Sequence, residues 1–363
     1  MPLPDFTNHL EQTQETAQKP HVVAKADYDS VMDSSQALLG ELAKVPDGDL
    51  IAEMVTNAVK LLRDRNNRGD LKLVNKSFKE LRYALKIFTP YRDVRKVSIF
   101  GSARTPETDP DYEAASDFAK RIAALGWMVI TGAGGGIMAA GHGGAGPDPS
   151  FGLAIRLPFE QNTNPFIARD KKLINFKYFF TRKLMFVRAA HAITLFPGGF
   201  GTMDEGFEVL TLIQTGKCAP MPIVLAEATG GTYWSQWDRY IRRAMLGKGL
   251  ISKEDLSLYT VTDSIEEAVT EVTRFYSNFH SIRYYRDELI IRLRTRPTAG
   301  ELAELERDFA DIRTAGQMRL SGPLAIEKDE PDLDHLHRLI FNFDKRSQGR
   351  LRQLIDRLNA LAS

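Results

Sequence analysis

The sequence predicts an α/β protein, a doubly wound parallel sheet set between a helical N-terminal extension and a small α+β C-terminal region. Three observations predict it. From Arg95 onward, short apolar runs alternate with amphipathic helical stretches. The runs are apolar throughout, as strands covered on both faces by helices must be. Glycine-containing loops follow three of these runs, at Gly101, at 132–136 and at 198–201.

The elements follow in order. Residues 1–25 are polar and are expected to be disordered. Helical spacing covers 28–42, 49–65 and 71–88; the last carries Leu73, Val74, Phe78, Leu81, Leu85 and Phe88 near helical intervals and is closed by Pro90. Residues 1–90 therefore read as a helical extension. A sheet domain covers 91–280, with strands expected at 96–100, 127–130, 151–157, 192–196, 223–225 and 258–261. Helices are expected at 112–125, in short form after the loop 132–136, and at 176–190, 206–213, 233–246 and 264–275. From 281 to 363 the order is strand (289–293), helix (299–311), strands (318–324 and 338–343) and helix (349–361), a βαββα accessory domain punctuated by Pro297, Pro323 and Pro331.

Composition narrows the classes of function. Of 363 residues, 43% are hydrophobic and 26% charged, as in an ordinary soluble globular protein. The net charge of +1 offers no broad attraction to nucleic acid or to an anionic membrane. The single cysteine, Cys218, allows no intramolecular disulfide and no multi-cysteine zinc site, so a reducing cytoplasm is expected. Residues 1–19 lack the apolar core of a secretory signal, and no apolar run approaches the ~20 residues of a membrane helix. The seven histidines show no H-x-x-x-H or H-E-x-x-H spacing, and no metal is expected.

The most informative stretch is Phe196-Pro197-Gly198-Gly199-Phe200-Gly201-Thr202-Met203-Asp204-Glu205. It joins an apolar run, 191–196, to a helical pattern beginning at Gly206. A glycine-rich turn at a helix start leaves backbone N–H groups pointing outward, where a phosphate is most easily held. An acid in the first helical turn beside such a site suggests chemistry rather than simple retention. In the common doubly wound order 3-2-1-4-5-6, the first and fourth strands are neighbours at the switch point, where ligands bind. The loop Gly101-Ser102-Ala103-Arg104 and the loop 197–202 then face one crevice, with Gly134 and Gly135 of the second-strand loop next door. Glycines also make tight strand–helix turns in any such fold, so the loops alone do not decide the matter.

Glu205 and Asp204 are rival carboxylates, pointing about 100° apart on a helix, so both cannot serve one atom. Glu205 also fits an ordinary first-turn acid favoured by the helix dipole. Thr181-Arg182-Lys183 opens the helix that feeds the fourth strand. Arg182 is suited to clamp a phosphate or orient a nucleotide, or else belongs to a solvated surface pair. The flanking Phe176, Tyr178, Phe179, Phe180, Met185 and Phe186 read mainly as core or subunit interface, with one or two able to cover a flat base. The standard nucleotide fingerprints do not fit: Gly199-Phe200-Gly201-Thr202-Met203 is followed by Asp204 where G-x-G-x-x-G needs glycine, and no G-x-x-x-x-G-K-[ST] occurs.

The stretch 197–205 matches the PGGxGTxxE motif of the Lonely Guy (LOG) family of nucleoside 5′-monophosphate phosphoribohydrolases. Tyr178-Phe179-Phe180-Thr181-Arg182-Lys183 is similar to the family's preceding Arg-Lys stretch, and Phe100-Gly101-Ser102-Ala103-Arg104 resembles its first glycine loop. The resemblance covers roughly 94–275, and the flanking regions are like those of longer bacterial members. It implies a Rossmann-like fold, self-association as dimers or larger assemblies, and no cofactor. It implies that Glu205 and Arg182 are catalytic and that Gly199, Gly201 and Thr202 hold phosphate with Ser102 assisting; Gly101, Gly134, Gly135, Gly198 and Lys183 are further candidates for substrate or phosphate binding. The implied reaction cleaves the N-glycosidic bond of an AMP-like nucleotide or a cytokinin ribotide to free base and ribose 5-phosphate. The family has also carried a lysine decarboxylase label, for which no residue here identifies a pyridoxal-binding lysine. One departure stands out. Long members show GGGPGIMEAAN after the second strand, whereas this chain has Ala139 in place of the acid and His142 in place of the Asn. That departure favours the alternative reading, a non-catalytic carrier of a nucleotide or phosphate ligand.

Overall fold

The computed structural model describes residues 23–155 and 163–361. The expected disorder of residues 1–22 and the end of the third strand at 156–157 lie outside those described residues. The chain divides into two compact units, 1–83 and 84–363.

The first unit holds α1 (Lys25–Leu42), α2 (Gly48–Lys60) and most of α3 (Arg68–Phe88). These helices bury little: α1 buries no residue and α2 only Gly48. Leu50, Ile51, Met54, Val74 and Phe78 are all exposed.

The second unit is built on a seven-stranded parallel sheet. Its strands are β1 (Lys96–Phe100), β2 (Met128–Thr131), β3 (Ser150–Ile155), β4 (Leu173–Phe176), β5 (Ala192–Leu195), β6 (Ile223–Ala226) and β7 (Thr260–Thr262), in the order β4-β3-β2-β1-β5-β6-β7. All residues of β1, β2, β5 and β6 are buried, because helices cover both faces. On one face α4 (Pro110–Ala124) lays Ala115, Phe118, Ala119 and Ile122 against Val97, Ile99 and Val129, together with Ala268 and Val272 of α9 (Ile265–Arg274). Helix α4 starts where Asp109 caps the Asp111 N–H and Pro110 occupies the first turn, and it ends before Gly126 at φ +81°. The topology reverses between β1 and β5, which pair in parallel from Val97↔Ala192 to Phe100↔Leu195. The switch point therefore lies where the sequence placed it.

One strand more is present than the six expected. Residues 173–176, whose burial alternates as edge strands do, form β4 beside β3. The helix expected from 176 is accordingly shorter, α6 (Phe179–Arg188). Helices α5 (Ile137–Ala145), α7 (Phe200–Gln214) and α8 (Tyr233–Tyr240) complete the sheet's surround.

The C-terminal region belongs to the same compact unit. It is ββαββα rather than βαββα: β8 (Phe279–Tyr285), β9 (Glu288–Leu293), α10 (Ala299–Asp308), β10 (Arg313–Ser321), β11 (His337–Phe343) and α11 (Gln348–Ala360). The antiparallel order is β10-β11-β9-β8. Strand β8 escaped the sequence because Phe279-His280-Ser281-Ile282-Arg283 has few apolar positions and the strand ends on two exposed tyrosines. Leu289, Ile291, Leu293, Leu339 and Phe341 pack on Leu351, Leu354 and Leu358 to form this region's core.

Candidate functional site

Three loops leave the C-terminal ends of β1, β2 and β5 and interlock. The Ser102 N–H donates to Pro197 O at 3.0 Å, and the Ile137 N–H donates to Ser102 O at 3.0 Å. The first loop thus ties the other two together. The fit requires glycine at specific places. Gly136 stands at φ +58°, and a Cβ there would meet Ala103 O at 2.9 Å. A Cβ on Gly101 would lie 2.6 Å from Ile137, and one on Gly198 would collide with Thr202 and reach the Ser102 amide at 3.0 Å. Gly101, Ser102, Gly198 and Thr202 are therefore in one place, with Gly134 and Gly135 in the adjoining loop.

The loop after β5 opens α7. The Thr202 and Met203 N–H groups both donate to Gly199 O, at 3.1 and 3.2 Å. Among the described residues, the N–H groups of Gly198, Gly199, Phe200 and Gly201 have no hydrogen-bond partner. Four free amides at the positive end of a helix are the arrangement in which an anion is most easily held. The phenol of Tyr233 donates to Gly198 O and holds the turn from the opposite side.

Glu205 lies one turn into α7 and is only 7% exposed. Its Oε2 is buried without a hydrogen-bond partner. Burial pushes its carboxyl up to about 7, against the pull of Lys183 and Arg182 and with a further push from Glu208 and Asp204. Asp204, the rival acid, has a side chain 63% exposed and pairs with Lys183 at 2.9 Å. Geometry thus separates the two carboxylates, one facing inward and the other outward.

Arg182 is half-buried and bound to backbone carbonyls rather than paired at the surface. Its Nε donates to Leu153 O at 2.7 Å and its Nη2 to Gly132 O at 3.4 Å, so the guanidinium spans the ends of β2 and β3. It also lies over the Phe186 ring, 5.1 Å from the centroid. Burial lowers its pKa to about 10, opposed by Glu205. Lys183 faces α7 instead, bonding Asp204 and, at 2.5 Å, Glu208. Its ammonium is shared between two carboxylates and clamps α6 to α7. Of the aromatic set, Phe176, Met185 and Phe186 are core, while Phe179 and Phe180 are more than half exposed.

Two groups escaped the sequence reading. Glu227, buried at the end of β6, accepts from the Tyr233 N–H at 2.8 Å and the Trp234 N–H at 3.1 Å. It caps α8 and so aims Tyr233 at Gly198. The one available signal was an acid directly after an apolar strand and six residues before an aromatic helix start. The second group is a buried cluster of Thr131, His142 and Asn164 under the loop 132–136. His142 was visible as a departure from the motif, but Asn164 had no signal.

Among the described residues no helix is long and apolar enough to cross a membrane. A family model described as "Possible lysine decarboxylase" matches residues 136–272, the stretch that holds Arg182 and Glu205. No curated protein matches the chain. Among solved structures it is similar to the structural-genomics target TM1055, at 21% identity over 50% of this chain and 99% of that one, with a TM-score of 0.36. It is also similar to the molybdenum cofactor binding protein of the phototrophic bacterium Rippkaea orientalis, at 17% identity over 50% and 98% of the two chains, TM-score 0.36. The molybdenum cofactor carrier protein of Chlamydomonas reinhardtii matches at 18% identity over 50% and 97%, again with a TM-score of 0.36. Residues 136–272 are therefore similar to the family whose model bears the lysine decarboxylase description, a label that LOG proteins have also carried.

Proposed function

We propose that the protein hydrolyses the N-glycosidic bond of a nucleoside 5′-monophosphate, with AMP as the representative substrate. The observation that carries this reading is Glu205, a buried carboxylate with an unpartnered oxygen and a pKa near 7, one turn from four free amides. A carrier needs the amides but gains nothing from an unpaired buried acid, which costs stability.

In this reading the 5′-phosphate rests on the N–H groups of 198–201. Glu205 follows Gly201 by four helical positions, a rise of ~6 Å, suited to a ribose spanning from its phosphate to C1′. Bond cleavage sends its electron pair to the base nitrogen and leaves an oxocarbenium-like sugar. The Glu205 carboxylate stabilises that charge and takes the proton of the attacking water, whose oxygen bonds C1′. The departing base takes a proton from solvent, the Glu205 proton returns to solvent, and Arg182 supports the leaving base or orients the nucleotide. Lys183, held by Asp204 and Glu208, is not the free amine that imine chemistry would need, which weighs against lysine decarboxylation.

The test is incubation with a panel of nucleoside monophosphates, reading free base and ribose 5-phosphate. Release by the native chain, lost in Glu205→Gln while nucleotide still binds, is the expected result. Tight binding without turnover in the native chain would instead favour the carrier.

A further inference from the structure

His142 is fully buried in α5 and touches three elements. Its Nε2 lies 3.0 Å from Phe151 O and 3.1 Å from Thr131 Oγ1, and its Nδ1 lies 3.1 Å from Asn164 Nδ2. A carbonyl only accepts, so Nε2 carries the proton and Nδ1 is an acceptor. This assignment also settles the Asn164 amide. One of its N–H groups goes to His142 Nδ1 and the other to Gly134 O at 3.0 Å; Asn164 Oδ1, at 3.3 Å from Nδ1, has no proton to give. The Asn164 backbone N–H donates to Ala133 O at 2.9 Å. Burial lowers the histidine's pKa and keeps the ring neutral, as the relay requires.

Two consecutive carbonyls, those of Ala133 and Gly134, are thereby held toward Asn164. In a trans peptide the N–H points opposite to the C=O of the same unit. The N–H groups of Gly134 and Gly135 therefore point away from Asn164, and among the described residues neither has a hydrogen-bond partner. The loop needs such fixing. Ala133 stands at φ +64°, a conformation that costs a residue with a Cβ about 1 kcal/mol, and its own N–H is tied to Thr131 Oγ1 at 3.1 Å.

We infer that His142 and Asn164 are positioning residues that aim the Gly134 and Gly135 amides as a second holder of a ligand phosphoryl oxygen. The inference rests on the reading that the crevice takes a phosphate ester. Neither residue touches the ligand; both act through the loop.

The test uses the full chain, with ribose 5-phosphate and AMP as probes. Asn164→Asp keeps the side chain's size and removes both donors. His142→Leu removes the ring's polar atoms, and His142→Gln keeps a donor and an acceptor. Asn164→Asp and His142→Leu should weaken ribose 5-phosphate binding and raise KM for AMP by about tenfold, with kcat within about threefold. His142→Gln should recover most of that loss, which a merely structural role would not produce. If His142→Leu fails to fold, Asn164→Asp still decides. Native-like affinity in folded Asn164→Asp, or no binding of either probe by the native chain, overturns the proposal. A native chain that binds ribose 5-phosphate but leaves AMP intact sinks the hydrolase reading alone, and the affinity comparison still stands.

Discussion

Arg182 and Glu205 lie near each other without forming an ion pair. No contact within 4.0 Å joins them among the described residues, although each alters the other's ionisation. The guanidinium spends its Nε and Nη2 on the carbonyls of Leu153 and Gly132. A directly paired carboxylate would be held ionised far below neutrality. Glu205 is instead left to its burial and titrates near 7. It can therefore take a proton at physiological pH, which a firmly paired acid could not.

The acid limb of the pH profile should report the ionisation of Glu205. A base must be ionised to accept a proton, so kcat/KM for AMP should rise with pH through about 7 and level above it. Lys183 favours the ionised form of Glu205. Lys183→Met should therefore move that limb to higher pH. A limb that stays put in a folded variant, or a profile flat from pH 5 to 8 in the native chain, would contradict the assignment.

The same burial has a thermodynamic side. The folded-state pKa of Glu205 lies near 7, above its ordinary 4.5, so the folded protein binds this proton more tightly than the unfolded chain. Ionisation therefore costs stability, fully above the folded pKa and not at all below the unfolded one. Glu205→Gln should stabilise the ligand-free protein above pH 7, by no more than about 3 kcal/mol for a shift of this size. The gain should fade as the pH falls from 7 toward 4.5. Denaturant melts at pH 8 and pH 4.5 check it.

Much of the fold around this candidate site is legible in the sequence alone. Glycine loops after apolar runs located the switch point between β1 and β5, and the acid behind Gly198–Thr202 was picked out by its offset from the turn. Long-range partners left no trace. The hydroxyl of Tyr233 reaches a carbonyl 35 residues earlier, and the amide of Asn164 reaches one 30 residues earlier. Neither residue sits in a pattern of spacing or composition. Arg182 shows the same limit: its type and place suggested either a clamp or a surface charge, and only the carbonyls it meets exclude the second. The missed strands β4 and β8 are edge strands with weak apolar alternation, where pairing overrides local preference.

Arg182 should not tolerate lysine. A single ammonium cannot span Leu153 O and Gly132 O as the planar fork does. Arg182→Lys should lower kcat/KM for AMP by about tenfold or more and cost about 1–3 kcal/mol of stability through the carbonyls left unpaired. Activity within a factor of two of the native chain would remove Arg182 from the site.

The glycine turn at 198–201 offers a graded test. Tyr233→Phe deletes only the hydroxyl that holds Gly198 O. It should raise KM several-fold, with Tm nearly unchanged, as loss of one partly exposed hydrogen bond of about 1 kcal/mol allows. Gly198→Ala forces a methyl into Thr202 and toward the Ser102 amide, so it should abolish measurable ribose 5-phosphate binding. Calorimetric titration with ribose 5-phosphate separates the two variants. An alanine variant that binds as tightly as the native chain would show that the anion rests elsewhere.

The most direct measurement is a crystal structure of the full-length Glu205→Gln chain with AMP. Phosphate should rest on the N–H groups of 198–201, with the anomeric carbon near the residue 205 side chain, about 3.5 Å from it or one water away. Phosphate seated on another element, or a ribose turned so that C1′ faces away from residue 205, would contradict this placement.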